Sequence, residues 1–129
     1  MLSRARQRIM VVDDDAGVRR SLDTLLRRAG YDVIQAADGR EAVQLWRDQA
    51  ADLVITDLHM PNKDGFETII ELLSLTPGTP IIAMSGGGQT KRLDLLGNVA
   101  LLGRVLTIEK PFTLSEMMSV VGQALKRAS

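Results

Sequence analysis

Five short apolar runs recur along the chain: Ile9–Val12, Tyr31–Gln35, Leu53–Thr56, Pro80–Met84 and Arg104–Ile108. Most are continuously apolar rather than alternating, as expected of strands covered on both faces in a parallel sheet. Longer segments of helical period separate them. Val18, Leu22, Leu25, Leu26 and Ala29 fall on one helix face, and Gly30 stands where a C-terminal cap belongs. Ala42, Leu45 and Trp46 make a second stripe, and Phe66, Ile69, Ile70 and Leu73 a third that ends at Pro77-Gly78. Leu114, Met118, Val121 and Leu125 make the last, behind a capping box at Thr113 to Glu116. The order is βα repeated five times. With right-handed crossovers, it implies an α/β fold: a doubly wound five-stranded parallel sheet with helices on both faces. In such sheets ligands bind beyond the C-terminal strand ends, at the switch point of the strand order.

The segment Gln89–Gly103 is the least regular. Leu93, Leu96 and Ala100 form one stripe and Leu95, Val99 and Leu102 another. A helix apolar on two faces is either widely buried or offers a contact surface. In the second case, a homodimer through this segment and the last helix would follow.

Bulk properties narrow the function. At 129 residues the chain is one domain in size. Residues 1–7 read as a short basic tail and 8–128 as the domain. Lysine plus arginine equals aspartate plus glutamate, 16 against 16, so no net field draws the chain to nucleic acid or an anionic membrane. No apolar run is long enough to span a bilayer, and no apolar core follows the basic N-terminus as a secretory signal requires. The absence of cysteine removes disulfides, thiolate metal sites and cysteine nucleophiles, and fits a reducing, cytoplasmic setting.

The strand ends carry the chemistry. Asp13, Asp14 and Asp15 follow the first run, Asp57 the third, Ser85 the fourth, and Glu109-Lys110-Pro111 the fifth. Carboxylates brought together on one rim repel one another unless a cation joins them. With one histidine and no thiol, zinc is disfavoured, and an all-oxygen set suits Mg²⁺. A magnesium-bound acidic pocket with a lysine and a serine is equipped to hold a phosphoryl group, with Asp57 as nucleophile. Asp15 reads as the cap of the following helix.

These residues also carry a resemblance. V-V-D-D-D at Val11–Asp15, D-L-H-M-P-N-K-D-G at Asp57–Gly65, A-M-S-G at Ala83–Gly86 and E-K-P-F at Glu109–Phe112 resemble the receiver domain of two-component response regulators, in order and over nearly the whole chain. The resemblance implies a flavodoxin-like strand order 2-1-3-4-5. It implies that Asp57 is the phosphorylated aspartate, with Lys110 and Ser85 in the family's lysine and switch-hydroxyl positions. For the metal it implies Asp14 and Asp57 as direct ligands, Asp13 acting through water, and the backbone carbonyl of His59. It makes Lys110-Pro111 a candidate cis bond. Its implied partners are a histidine kinase or histidine phosphotransfer protein and a downstream protein target. Such a domain catalyses its own phosphorylation and dephosphorylation but serves mainly as a signalling switch. Because little chain follows Arg127, output is expected through binding.

One position departs from the pattern. Three residues before Lys110 the family often has an aromatic residue, and here it is Thr107. A rotation coupled to that ring cannot operate. The loop Gly86-Gly87-Gly88 is either free to move or merely permits a tight turn. The rival reading is an interaction module that keeps the fold but signals without phosphorylation. A phosphohydrolase would need a further general acid near the nucleophile, and His59 is the only nearby candidate. A flavin domain is disfavoured because Asp14-Asp15-Ala16-Gly17 has the wrong charge for a phosphate cradle.

Overall fold

The computed structural model describes residues 6–58, 65–86 and 105–128. His59, Gly87, Gly88 and the segment Gln89–Gly103 lie outside the described residues. The elements run β1 (Arg8–Val12), α1 (Ala16–Arg28), β2 (Asp32–Ala36), α2 (Gly39–Asp48), β3 (Leu53–Asp57), α3 (Gly65–Leu75), β4 (Ile81–Ser85), β5 (Val105–Glu109) and α4 (Leu114–Ala128). The five strands form one sheet in the order β2-β1-β3-β4-β5, and every pairing is parallel.

Because side chains alternate across a strand, each apolar run feeds two cores. Ile9, Val11, Leu53, Ile55, Ile82 and Met84 pack with Leu22 and Leu26 of α1 and Met117 and Val121 of α4. Met10, Val12, Val54, Ile81 and Ala83 pack with Trp46 of α2 and Phe66, Ile69 and Leu72 of α3. Strands β3 and β4 are buried at every residue. Strand β5 lies at the sheet edge and departs from the expected double coverage, with Thr107 and Glu109 exposed.

Two helical stripes also differ from expectation. In α3, Ile70 is 50% exposed and Leu72 takes its place in the core. In α4 the buried line is Met117, Val121 and Ala124, while Leu114 is 53% exposed. The true line follows i, i+4, i+7 from Met117, whereas Leu114 sits in the first turn, before the helix reaches the sheet.

Local signals place the helix ends. Asp15 caps α1, accepting from the Gly17 and Val18 N–H groups. Asp38 caps α2 by accepting from Glu41 N–H. Thr113 and Glu116 form the reciprocal box ahead of α4. Gly30 ends α1 at φ +100°, a conformation that favours glycine. No described helix is long and apolar enough to cross a membrane.

Candidate functional site

The C-terminal ends of β1, β3, β4 and β5 meet on one rim. Parallel pairing makes this unavoidable, since Val12 is level with Thr56, Asp57 with Met84, and Ser85 with Glu109. Asp57 is the last residue of β3 itself rather than the first beyond it, and Ser85 likewise closes β4. Asp13 and Ser85 are fully buried and Asp57 nearly so, while Asp14 is exposed.

Lys110 ties the rim together. Its Nζ donates to Asp57 Oδ2 at 3.1 Å and to Asp13 Oδ2 at 3.2 Å. Its backbone N–H donates to the Ser85 carbonyl at 2.7 Å, which anchors the lysine to the end of β4. The Lys110-Pro111 bond is cis, as the resemblance implies. One oxygen from each of Asp13, Asp14 and Asp57 lies within 4.8 Å of the others.

Burial and charge act against each other here. Burial pushes the Asp13 carboxyl above its ordinary value, and the Asp57 charge adds to this; the Asp15 N–H and Lys110 oppose them without prevailing. Burial also works against the Lys110 ammonium, but the hydrogen bond to Asp57 and the charges of Asp13 and Asp57 outweigh it and raise its pKa. The pocket therefore holds a proton on lysine firmly and holds the Asp13 charge reluctantly.

Of the residues expected at the site, Asp13, Asp14, Asp57 and Lys110 converge directly. Ser85 is buried one strand from Asp57, and its carbonyl holds Lys110. Asp15 instead caps α1 and donates its N–H to Asp13 Oδ1 at 2.9 Å. Two contributors went unrecognised in the sequence. Gly65 opens α3 directly beneath Asp57: a Cβ there would collide with the Asp57 carbonyl oxygen. The Asp64-Gly65 pair reads in the sequence as a turn and helix start, and α3 does begin at Gly65, but that signal says nothing of the close approach to Asp57. Arg19 donates from Nη1 to the Asp13 carbonyl at 2.7 Å, and no sequence pattern distinguishes it from its neighbour Arg20.

Comparison with known proteins decides the family. The sequence profile of the response regulator receiver domain matches residues 9–122. The chain belongs to that family. Among curated relatives, this receiver domain is 33% identical over 119 residues to the autoinducer 1 sensor kinase/phosphatase LuxN of Vibrio campbellii, covering 92% of this chain and 14% of LuxN. It is 32% identical to the transcriptional regulatory protein PdtaR of Mycobacterium tuberculosis, covering 94% of this chain and 58% of PdtaR. The chain thus spans only part of the length of these relatives. Among solved structures, a response regulator receiver protein from Sinorhizobium medicae superposes with a TM-score of 0.84 at 26% identity, covering 98% of this chain and 100% of that one. The chemotaxis protein CheY4 of Vibrio cholerae superposes at 0.81 with 28% identity, covering 94% and 100%. Membership places the chain in two-component signal transduction, in a family of phosphoacceptor signalling domains that generally bind Mg²⁺ at an acidic pocket.

Proposed function

We propose that this receiver domain takes a phosphoryl group onto Asp57 from a phosphohistidine of a histidine kinase or histidine phosphotransfer protein, with Mg²⁺, and thereby switches its contacts with a downstream protein. The observation that carries the reading is the buried Asp57 carboxylate held 3.1 Å from the Lys110 ammonium, beside Asp13 and Asp14.

The donor set fits a magnesium ion. It consists of hard carboxylate oxygens in a chain without thiols. Their spread of up to 4.8 Å is close to the ~4 Å between two oxygens on opposite sides of one Mg²⁺. Asp14 and Asp57 would hold the ion directly, Asp13 through water, with the His59 carbonyl as a further donor. When bound, the ion supplies positive charge against the phosphoryl oxygens.

The chain's own residues do the rest. An Asp57 carboxylate oxygen attacks phosphorus, forming the O–P bond of an acyl phosphate. The P–N bond to the donor imidazole breaks, and that imidazole leaves with the bonding pair and takes up a proton. Lys110 stays protonated and offsets the charge gathering on the phosphoryl oxygens. Ser85 donates its hydroxyl to one of these oxygens. The product carries about two negative charges where the carboxylate carried one, and it adds three phosphoryl oxygens that accept hydrogen bonds. That charge biases an equilibrium at the loop after Ser85 and the neighbouring elements, which a protein partner reads.

Intact mass measured after incubation with Mg²⁺ and acetyl phosphate tests this. The natural chain should gain one phosphoryl group in a Mg²⁺-dependent manner, and Asp57→Ala should gain none. Failure of labelling by acetyl phosphate and also by phosphorylated histidine kinases would leave an interaction module that works without phosphate.

A further inference from the structure

Asp13 is held at every polar atom. Its N–H donates to the Ala36 carbonyl at 3.1 Å. Its Oδ1 accepts from Asp15 N–H at 2.9 Å and its Oδ2 from Lys110 Nζ at 3.2 Å. Its carbonyl oxygen accepts from Arg19 Nη1 at 2.7 Å, the shortest of the four. A guanidinium donor makes this a charge-assisted bond.

Arg19 is itself oriented. Its Nε donates to Gln35 Oε1 at 3.3 Å, and Gln35 Nε2 donates to Asp23 Oδ2 at 2.8 Å. Asp23 Oδ1 accepts from Arg27 Nε at 2.7 Å, and Arg27 Nη2 donates to the Val33 carbonyl at 3.0 Å. This ladder fastens α1 along edge strand β2, and its upper end is the Asp13 carbonyl.

The peptide unit is planar. The Asp13 carbonyl and the Asp14 nitrogen and Cα therefore share one plane, and fixing the oxygen fixes the point from which the Asp14 side chain departs. Asp14 is exposed, so core packing does not hold it. We infer that Arg19 is a positioning residue for the acid pocket, and that by holding the Asp13 carbonyl it sets the orientation of the Asp13–Asp14 peptide and so the pocket's affinity for a divalent cation. The inference rests on the metal-dependent reading proposed above.

Charge alone predicts the opposite sign, which makes the test decisive. Removing a cation beside an acidic pocket strengthens its attraction for Mg²⁺, whereas loosening a ligand's support typically weakens metal affinity by about 10-fold or more. Mg²⁺ would be titrated calorimetrically into the unphosphorylated chain and into Arg19→Ala, Arg19→Lys and Arg20→Ala. Arg20 is exposed and lines the groove toward Leu114, so its variant controls for lost charge. The expected result is binding about 10-fold weaker in Arg19→Ala, intermediate in Arg19→Lys, and no weaker than natural in Arg20→Ala. Affinity in Arg19→Ala equal to or tighter than natural overturns the inference and leaves the phosphoacceptor reading standing. No binding by the natural chain removes the metal from that reading and the inference with it. Thermal unfolding in EDTA checks the fold. If Arg19→Ala does not fold, Arg19→Lys carries the test, and unchanged affinity there overturns the inference.

Discussion

Gly65 lies so close beneath Asp57 that a Cβ on the glycine would overlap the Asp57 carbonyl oxygen and fall 2.5 Å from the Leu58 Cα. The Gly65 N–H also donates to the Leu58 carbonyl at 3.2 Å. The first turn of α3 is therefore seated on the backbone that presents the site carboxylate. Both obstructing groups are main chain, which cannot rotate aside as a side chain does. Gly65→Ala should cost about 1–3 kcal/mol, as overpacking does, read as a lowered urea midpoint. It should also slow Asp57 labelling by acetyl phosphate, because the strand end must shift.

Lys110 is the ammonium shared by two buried carboxylates. Removing one partner of a buried pair costs about 3–5 kcal/mol. The lysine side chain is 31% exposed, and solvent screening reduces this to about 1–3 kcal/mol. Lys110→Met should lose that much stability in EDTA by urea unfolding. It should also lose phosphoryl transfer to Asp57 even where the variant remains folded.

The raised pKa values give two limbs of pH dependence. Asp13 has a folded-state pKa above 3.8. Its contribution to stability is therefore fully present below that value and is lost as pH rises through the folded pKa. Asp13→Asn lacks this loss, so the stability of the variant minus that of the natural chain should increase from acid to neutral pH. Lys110 has a folded-state pKa above 10.5. Its contribution is present below 10.5 and lost above its raised value, and Lys110→Met should flatten this alkaline limb. Urea midpoints across pH, in EDTA, check both; an unchanged difference for Asp13→Asn between acid and neutral pH contradicts the first.

Trp46 is 3% exposed, and its Nε1 donates to Thr76 Oγ1 at 2.9 Å, joining α2 to the end of α3. Thr76→Val leaves the indole N–H without that acceptor and should cost about 1 kcal/mol. Trp46 is the chain's sole tryptophan, so the same unfolding curve, followed by indole fluorescence, should show a shifted emission maximum in the folded baseline.

The parallel sheet and the composition of its rim are legible because four of the five apolar runs end on their chemistry, whereas the strand order is implied only by the family resemblance. Val12 leads into Asp13, Ile55-Thr56 into Asp57, and Met84 into Ser85, and parallel pairing then leaves those ends nowhere else to go. Caps are legible for a related reason: Asp15 and the Thr113–Glu116 box act on backbone only a few residues away. What the sequence does not display is how closely a helix is set against the strand that precedes it. Gly65 reads as a turn and helix-start residue until α3 is set against β3. Arg19 is one of two adjacent arginines until α1 is set against β2, and only then does one of them face Asp13. Leu114 reads as core because periodicity records which residues share a face, not where along the helix burial begins; Ile70 reads as core because it neighbours Ile69, although Leu72 and Leu73 complete the buried face instead.

Lys110 follows Asp13 by 97 residues and Asp57 by 53. During synthesis both carboxylates are made before the ammonium that neutralises them. Strand β5 is also an edge strand, held on one side by β4, so it docks onto a sheet whose centre can already have formed. The cation of the site thus arrives with the last strand, and a nascent chain carries the acidic rim without the means to use it.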